Sequence, residues 1–410
     1  MRNIYEIRQD FPMLQNKQMQ GHDLIYFDNS ATTLKPYSVL DAIAYYYTNI
    51  TSNAHRSDYD LAFAVDQAYE NARLKIAELI HANKNEIVFT SGASEGLNLI
   101  AYGYGLRYLK EDDVILVSEA EHASCVLPWM RVCEKTGAKL KYIPLNEEGK
   151  LTIEAFRSIM DANVKVVALA QISNVLGYEV PMKEICEFAH AYGAIVVVDG
   201  AQSVPHLPID VKDMDCDFLT FSAHKMCGPT GIGAIYGKYE WLENIDAWML
   251  GGGSNARFDA CGHILMKKPP AKFESGTQNI EGVLGFGAAV DYLQDLGMHQ
   301  LHAYEQKLRH YIVSHMKRME NIRLYNEDAQ SGIITFNVKD VFAQDAASYF
   351  NAHGIAVRSG QHCAKLLSEQ LKTAATVRAS LYFYNTRAEA DEFLKVCANA
   401  DMHTCLDIYF

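Results

Sequence analysis

The sequence predicts an α/β fold in which a mostly parallel sheet, covered by helices on both faces, is followed by a smaller α+β domain. Short apolar runs such as Val114–Ser118 and Ala194–Val198 alternate with amphipathic helical patterns through most of the chain. Such runs are typical of parallel strands buried on both faces. After about residue 290 the pattern changes to mixed helices and strands. The 410 residues allow two or three domains at ~150 residues each.

Apolar spacing places the elements in order. A helix is predicted where apolar residues recur every three or four positions from Leu61 to Leu79, with Ser57 or Asp58 as its cap. Two further helices are expected to begin near Ser94 and at Pro181; the second would bury Ile185, Phe188, Ala189 and Tyr192 and end at Gly193. The predicted buried strands are Glu86–Thr90, Val114–Ser118, Leu140–Pro144, Val164–Ile172, Ala194–Val198, Phe218–Ser222 and Gly233–Tyr236.

The last part of the chain predicts a second unit. Gly251–Lys272 is rich in glycine, lysine and proline, and we interpret it as a loop-rich excursion that reaches a second subunit. Strand-like Gly332–Val338, a helix near Asp345–His353 and the run Ile355–Arg358 follow. We therefore expect residues 21–285 to form a large domain, residues 286–410 a small one, and residues 1–20 a segment that packs with the small domain.

Composition excludes several classes of protein. The net charge of −13, from 37 basic and 50 acidic residues, repels phosphate backbones, so nucleic acid is not expected as a partner. No apolar run approaches the ~20 residues of a membrane-spanning helix, and the first residues lack the apolar core of a secretory signal. Nine cysteines without a CxxC pair argue against a disulfide framework or a zinc site. A reducing cytoplasm is the expected location.

Two polar residues that end buried strands carry the strongest chemical signal. Lys225 follows the run ending at Ser222, and a desolvated lysine becomes a nucleophile that forms Schiff bases. Asp199 ends the run Ala194–Val198, and a buried carboxylate there needs a cation such as the ring nitrogen of pyridoxal phosphate. Taken singly, Lys225 also fits a lysine that reaches solvent, and Asp199 a helix-capping residue. The pair is much more specific than either residue alone.

Other residues could complete a cofactor site. Thr90–Ser94 joins a strand to a helix and offers backbone N–H groups, a hydroxyl and a helix N-terminus to a phosphate. Ser222 and His224 could add to it, and His122 follows another strand, where it could stack on a ring. Alone, each of these features is common in proteins without such a site.

Seven segments of the chain form a recognisable series: Tyr26–Thr33, Glu119–His122, Ser173–Gly177, Val198–Gln202, Phe221–Lys225, Arg358–Ala364 and Arg378–Leu381. In these segments the chain resembles class V aminotransferase-fold enzymes and, within them, the Suf-type (group II) cysteine desulfurases. The resemblance covers nearly the whole chain. It implies the fold type I architecture of pyridoxal-phosphate-dependent transferases, with the cofactor in the large domain and a nucleophile loop in the small one.

The resemblance also implies a role for each site residue. Lys225 would hold pyridoxal phosphate covalently and move protons. The other residues implied to bind the cofactor are Asp199 at the ring nitrogen, Gln202 at the ring oxygen, His122 on the ring face, and Ala93, Ser94, Ser222, His224 and the neighbouring subunit's Thr277 at the phosphate. The residues implied to bind substrate are Arg378 at the carboxylate, Asn174, Arg358 and His55. A contact from a neighbouring subunit implies a homodimer.

Cys363 is the implied sulfur acceptor within the chain. Seen alone, one cysteine among nine is most often a small buried residue. Arg358, Gly360 and His362 make its surroundings polar, flexible and positively charged, which favours a thiolate. In the implied reaction Cys363 takes the sulfur of L-cysteine as a persulfide and L-alanine is released. A SufE- or SufU-like acceptor protein then receives the sulfur for iron–sulfur cluster or thio-cofactor assembly.

Alternatives remain open at this stage. A selenocysteine lyase, or an epimerase-like or kynureninase-like relative, would keep the fold and change the substrate. Relatives without sulfur chemistry would not need the Cys363 segment, and a cofactor-sensing or scaffold protein would not need the carboxylate-binding Arg378. Three positions depart from the residues frequent in the family: Gln361 and Gln171 stand where histidine is common, and Lys272 where arginine is common. We expect them to tune the loop or its acceptor.

Overall fold

The computed structural model describes residues 2–55 and 58–409, which form helices packed around one large and one small sheet. The strands of the described residues are β1 (Gln18–Met19), β2 (His22–Asp23), β3 (Ile25–Tyr26), β4 (Ile87–Thr90), β5 (Val114–Ser118), β6 (Lys139–Ile143), β7 (Val164–Ala170), β8 (Ile195–Asp199), β9 (Phe218–Ser222), β10 (Gly233–Gly237), β11 (Asn255–Phe258), β12 (Ile264–Met266), β13 (Ile322–Leu324), β14 (Ile333–Val338), β15 (Ile355–Ala356), β16 (Arg358–Gly360) and β17 (Thr376–Ser380).

The helices alternate with these strands. They are α1 (Ile4–Gln9), α2 (Tyr37–Asn49), α3 (Asp60–Leu79), α4 (Ala93–Ile100), α5 (Leu106–Tyr108), α6 (Ala123–Thr136), α7 (Ile153–Ile159), α8 (Met182–Ala191), α9 (Val211–Met214), α10 (Tyr239–Asn244), α11 (Ile280–Leu296), α12 (Met298–Met316), α13 (Ala343–Ala352), α14 (Leu367–Gln370), α15 (Arg387–Asn399) and α16 (Met402–Asp407). None of the helices in the described parts of the chain has both the length and the apolar character needed to cross a bilayer.

The large sheet has seven strands in the order β4-β10-β9-β8-β7-β5-β6. Strand β10 is antiparallel to both of its neighbours, and the pairs from β9 to β6 are parallel. The mostly parallel α/β fold expected from the sequence is confirmed. Because β4 runs in the same direction as β9, the carboxyl ends of six strands meet at one edge, where ligands of such sheets bind.

Alternating side chains explain why the strands are almost wholly apolar. In β8, Val196 and Val198 face the core formed with helices α2, α3, α8 and α11. Ile195 and Val197 of the same strand face a second core, which contains Trp129 of α6. Successive residues of a strand point to opposite faces of the sheet. Both faces of the sheet are therefore buried, as the continuous apolar runs predict.

The small sheet is antiparallel, in the order β13-β14-β17-β16. Its core includes Phe336, Phe350 and Phe393, from β14, α13 and α15. Two residues from the start of the chain, Ile25 and Phe27, lie in the same core, because β3 pairs in parallel with β15. The segment after β3 thus runs from the small sheet to the edge of the large one.

Three details differ from the sequence-based expectations. Tyr192 is 41% exposed rather than inward, because α8 ends one residue before it. The N-cap position of α3 is Tyr59, so Asp58 does not cap the helix, and Ser57 lies outside the described residues. The stretch expected to be loop-rich contains the hairpin β11–β12, whose residues are largely exposed.

Candidate active site

A cavity of about 220 Å³ opens at the carboxyl edge of the large sheet. All the site residues expected from the sequence line it except Thr277 and His55. Those that line it are Ala93, Ser94, His122, Asn174, Asp199, Gln202, Ser222, His224, Lys225, Arg358, Cys363 and Arg378. They come from both sheets, so the cavity lies where the two sheets meet.

Lys225 ends a short 3-10 turn that directly follows β9. The turn is tied to the start of the chain, since the carbonyl of His224 accepts hydrogen bonds from Thr33 N at 2.9 Å and from Lys35 Nζ at 3.0 Å. Burial lowers the pKa of Lys225 to about 8, and the guanidinium of Arg378 adds to this effect. An amine with this pKa is partly neutral near neutral pH and can act as a nucleophile.

Asp199, the last residue of β8, is only 5% exposed. Its Oδ1 accepts a hydrogen bond from Ala201 N at 2.9 Å. The part of the chain that the structure describes gives Asp199 no ion pair with a lysine, arginine or histidine. A buried carboxylate of this kind is costly unless a cation pairs with it. The side chain therefore fits a cofactor that brings a protonated ring nitrogen into the cavity.

The start of α4 offers a second polar region of the cavity. Ser94 Oγ lies 2.7 Å from Ser124 Oγ, and Ala93 N donates to Ser222 Oγ at 2.8 Å. The backbone here approaches closely: a Cβ on Gly92, whose φ is +155°, would lie 3.2 Å from Ser222 Oγ. Hydroxyls beside a helix N-terminus are suited to a phosphate.

Two histidines of the cavity are held neutral. His122 accepts a hydrogen bond from Ser124 N at 3.1 Å through Nδ1, so its proton lies on Nε2. Burial lowers the pKa of His122. Burial, with smaller effects from Lys225 and Lys35, also lowers the pKa of His224, to about 4. His224 therefore offers a neutral imidazole rather than a cation.

Arg378 is held in a fixed orientation at the opposite wall. Its Nη1 donates to Asn174 O at 2.7 Å, and its Nη2 lies 3.3 Å from Asp28 Oδ1. The Nε of Arg378 and the Oδ1 of Asn174 are both buried and have no hydrogen-bond partner within residues 2–55 and 58–409. An unpaired donor and an unpaired acceptor that flank one cavity fit a substrate carrying both a carboxylate and an amine.

Cys363 is exposed and lies in the loop that covers this wall. Both His362 and Cys363 have a positive φ, 51° and 59°, a strained conformation for residues other than glycine. The loop is tied down by Ala123 N, which donates to Cys363 O at 2.8 Å, and by Asn174 Nδ2, which donates to His362 O at 2.7 Å. The thiol thus stands between the cavity and solvent.

One expectation about this loop is corrected. The sequence suggested that His362 adds positive charge beside the thiol. The structure buries His362, and burial lowers its pKa to about 3, helped by Arg378 and Arg358. The positive charge near Cys363 is therefore that of the two arginines, whose Cα atoms are paired across β16 and β17.

Two expected site residues are not brought to the cavity within the single chain. Thr277 Oγ1 accepts a hydrogen bond from Asn53 Nδ2 at 3.3 Å. His55 lies beside Asp66 and Glu70, at a separate cavity of about 290 Å³. The sequence reasoning had already assigned Thr277 to a neighbouring subunit, but had made no such statement for His55.

The three departures from the family pattern also lie outside the main cavity. Gln361 lines a much smaller cavity beside α14, and Gln171 lines a separate one near α8 and α9. Lys272 is buried, and its Nζ donates to carbonyls at the end of α10, those of Leu242 and Glu243 among them. None of the three alters the lining of the cavity.

The sequence reasoning missed Ser124 and Ser30, which both line the cavity. Ser124 is the second residue of α6, and its N–H and hydroxyl contact His122 and Ser94. A serine two residues after His122 at a predicted helix start was an available signal. Ser30 reaches the cavity because the segment after β3 runs from the small sheet to the edge of the large one. No local sequence pattern predicts this path.

Comparisons with known proteins agree with this geometry. The family model described as "Aminotransferase class-V" matches residues 25–393. A probable cysteine desulfurase of Halalkalibacterium halodurans is 42% identical over 394 residues, covering 96% of this chain and 97% of that protein. One of Synechocystis sp. is 43% identical over 396 residues, covering 95% and 93%. The crystal structure of the cysteine desulfurase CsdA from Escherichia coli superposes with a TM-score of 0.91 at 34% identity, covering 100% of this chain and 99% of that one.

Proposed function

The chain belongs to the class-V aminotransferase family, and we propose that it is a pyridoxal-phosphate-dependent cysteine desulfurase. One observation supports this function best. A strand-end lysine, a buried aspartate without a cation, a fixed arginine and an exposed thiol all line the same cavity. Lysine and aspartate suit the cofactor, arginine suits the substrate carboxylate, and the thiol suits the sulfur.

The residues present fit pyridoxal phosphate. Lys225 Nζ would hold the cofactor, Asp199 would face its ring nitrogen, and His122 would lie against its ring. Ser94, Ala93, Ser222 and His224 would receive the phosphate, and Gln202 would face the ring oxygen with the amide hydrogen that it does not donate to Ser30 O. When bound, the cofactor withdraws electrons from the substrate carbon attached to it.

Arg378 would select and orient the substrate. Its free Nε–H and an Nη–H form an edge that matches the two oxygens of a carboxylate. Asn174 Oδ1, buried without a partner in the described residues, would accept from a substrate N–H. These contacts hold the amino acid with its side chain toward the loop that carries Cys363.

Lys225 would move the substrate proton. A pKa of about 8 lets its amine accept a proton and donate it again near neutral pH. His122, neutral with its proton on Nε2, would lie beside the same carbon and offer a hydrogen-bond donor. The walls around them are buried, which limits exchange of this proton with water.

Cys363 would take the sulfur. Its thiolate attacks the substrate sulfur, so that an S–S bond forms as the carbon–sulfur bond breaks. The persulfide stays on Cys363, and the carbon skeleton gains a proton and leaves as L-alanine. Arg358 and Arg378 line the same cavity and place positive charge at this wall. Because Cys363 is exposed, the persulfide is accessible to a protein acceptor.

The protein would act as a homodimer. Thr277 and His55 lie outside the cavity of their own chain, so a neighbouring subunit would bring them to it. The hairpin β11–β12 presents apolar side chains to solvent, with Phe258 at 72% exposure and Leu265 at 63%. Exposed apolar surface of this kind marks an interaction site. Measurement of the molar mass in solution tests this assembly, and a monomer at micromolar concentration would exclude it.

Three further assignments concern the sulfur acceptor, the cellular location and the division into domains. The acceptor would be a SufE- or SufU-like protein that presents its own thiol to the Cys363 loop. The described cysteines are all free thiols, which suits a reducing cytoplasm. We also propose a division into a large domain of residues 21–285 and a small one of residues 286–410, with residues 1–20 packed on the latter; the ion pair of Arg8 with Glu389 at 2.9 Å supports this packing.

One experiment tests the function directly. Purified protein carrying pyridoxal phosphate is mixed with L-cysteine, and its peptides are weighed by mass spectrometry while alanine is quantified. We expect one extra sulfur on the peptide that contains Cys363, and alanine in the solution. A Cys363→Ser variant should bind the cofactor with the same absorbance but form no persulfide. Cys261→Ser, which removes another exposed thiol, is the matched control. Extra sulfur on another cysteine would refute the assignment.

A further inference from the structure

Glu121 is a buried carboxyl directly beneath the candidate active site. It precedes His122 in the turn between β5 and α6 and is 6% exposed. Its Oε1 lies 2.6 Å from Ser118 Oγ, and its Oε2 accepts from Ala170 N at 2.7 Å. Glu121 thereby joins the end of β5 to the end of β7. It does not line the cavity, so cofactor and substrate do not reach it.

The surroundings of Glu121 contain no positive charge. The structure gives it no lysine, arginine or histidine partner within residues 2–55 and 58–409. The titratable groups that face it are Asp199 of β8, whose Cα pairs with that of Ala170, and Cys125 of α6, whose thiol is within hydrogen-bond reach. Burial raises the pKa of Cys125, so this thiol stays neutral. Asp199 is thus the other acid group of this region.

Two neighbouring carboxylates cannot both remain charged away from water unless cations pair with them. Asp199 faces the cavity, where a cationic ring nitrogen would pair with it, whereas Glu121 is sealed from the cavity. We propose that Glu121 is a positioning residue that keeps its proton at neutral pH, fixes the turn carrying His122, and leaves Asp199 as the single carboxylate beneath the cofactor. This inference rests on the proposed function. Burial raises the pKa of Glu121 to about 8, with a smaller contribution from Asp199.

The hydrogen bonds are satisfied by the protonated form. In the ionised form Ser118 Oγ donates to Oε1; in the protonated form the serine hydroxyl rotates, and an O–H on Oε1 donates to Ser118 Oγ. In both forms Ser118 Oγ accepts from Ala120 N at 3.2 Å. Oε2 accepts the N–H of Ala170. The amide of a glutamine has the same pattern, a donor on one side and an acceptor on the other. Glu121→Gln therefore copies the protonated carboxyl, whereas it would not replace a carboxylate that accepts on both oxygens.

The dependence of stability on pH tests the protonation without using activity. A carboxyl whose folded pKa is raised from 4.5 to about 8 lowers stability as pH increases between these values, because only the unfolded chain then loses the proton. We expect Glu121→Gln to lose this dependence. Relative to the parent, its folding equilibrium constant should rise about tenfold per pH unit between these two pKa values, in urea unfolding of the cofactor-free protein.

Glu119→Gln is the matched control, since it removes a partly exposed carboxylate from the same turn. It should not reproduce the pH-dependent gain. Infrared difference spectra give a second readout: Glu121→Gln should remove the band of a protonated carboxyl, and Glu119→Gln should not. If Glu121→Gln removes a carboxylate band, or gains no stability over the parent as pH rises, the inference is overturned.

The effect on the cofactor separates a positioning role from a purely structural one. In the loaded protein we expect Glu121→Gln to leave the pH midpoint of the cofactor absorbance unchanged. Glu121→Ala, which removes the bonds to Ser118 and Ala170, should shift that midpoint even where the protein remains folded. An unchanged midpoint in folded Glu121→Ala would refute the positioning role. Persulfide formation on Cys363 tests the proposed function separately.

Discussion

Replacing Arg378 by lysine tests how the cavity recognises its substrate. The guanidinium is 2% exposed and is oriented by Asn174 O and Asp28, which leaves Nε–H and an Nη–H for a carboxylate. Lysine keeps the charge but supplies one ammonium instead of this paired edge. The loss of one charged hydrogen bond amounts to about 1.5–3 kcal/mol. We therefore expect KM for L-cysteine to rise by about 10- to 150-fold.

The assay compares two ligands. Alanine formation over a range of L-cysteine concentrations gives KM and kcat. The binding of cysteamine, which lacks the carboxylate, is followed by the absorbance of the bound cofactor. Arg378→Lys should weaken the binding of L-cysteine and leave the binding of cysteamine unchanged. Urea unfolding of the variant checks that the buried site is intact. An unchanged KM, or an equal loss of affinity for both ligands, would refute this reasoning.

Three further predictions concern residues outside the cavity. Lys272→Met leaves carbonyls at the end of α10 without their donor and should cost about 1–3 kcal/mol in urea unfolding, while Lys272→Arg should cost less. Asp217 is bonded to His190, which lowers the pKa of Asp217 below 3.8. Asp217→Asn should therefore lower the free energy of unfolding by a constant amount above that pH. The difference from the parent should disappear as pH falls below it. Gly177→Ala should reduce the melting temperature, because φ is +66° and the new Cβ would collide with Ser331 Oγ; a melting temperature equal to the parent's would contradict this.

The strands and most helices could be predicted because their signal is local. The runs Val114–Ser118 and Phe218–Ser222 are strands with the bounds that their apolar residues indicate. Tyr192 was wrongly placed inside because apolar spacing continues past the end of α8. The hairpin β11–β12 was missed because its residues are mostly exposed and lack the alternation of a half-buried strand.

Much of the lining of the site was predictable, although Ser30 and Ser124 were missed, and its electrostatics were not. Asp199 ends a strand and Lys225 and His122 follow strands, and parallel strands bring such residues to one edge. The charge of His362, by contrast, depends on burial beneath its own loop and on the nearness of Arg378. Burial and charge separation are properties of the packed molecule.

The sequence by itself determined the α/β architecture and the meeting of Lys225, Asp199 and His122 at one sheet edge, because hydrophobic periodicity identifies the strands that these residues end or follow. The tertiary structure alone decided which groups carry charge there. It made His362 and His224 neutral, left Asp199 without a cation among the described residues, and placed Glu121 beside Asp199 away from water. The physical reason is that a pKa depends on the solvent and charges around a group in three dimensions, and these come from segments far apart in the chain.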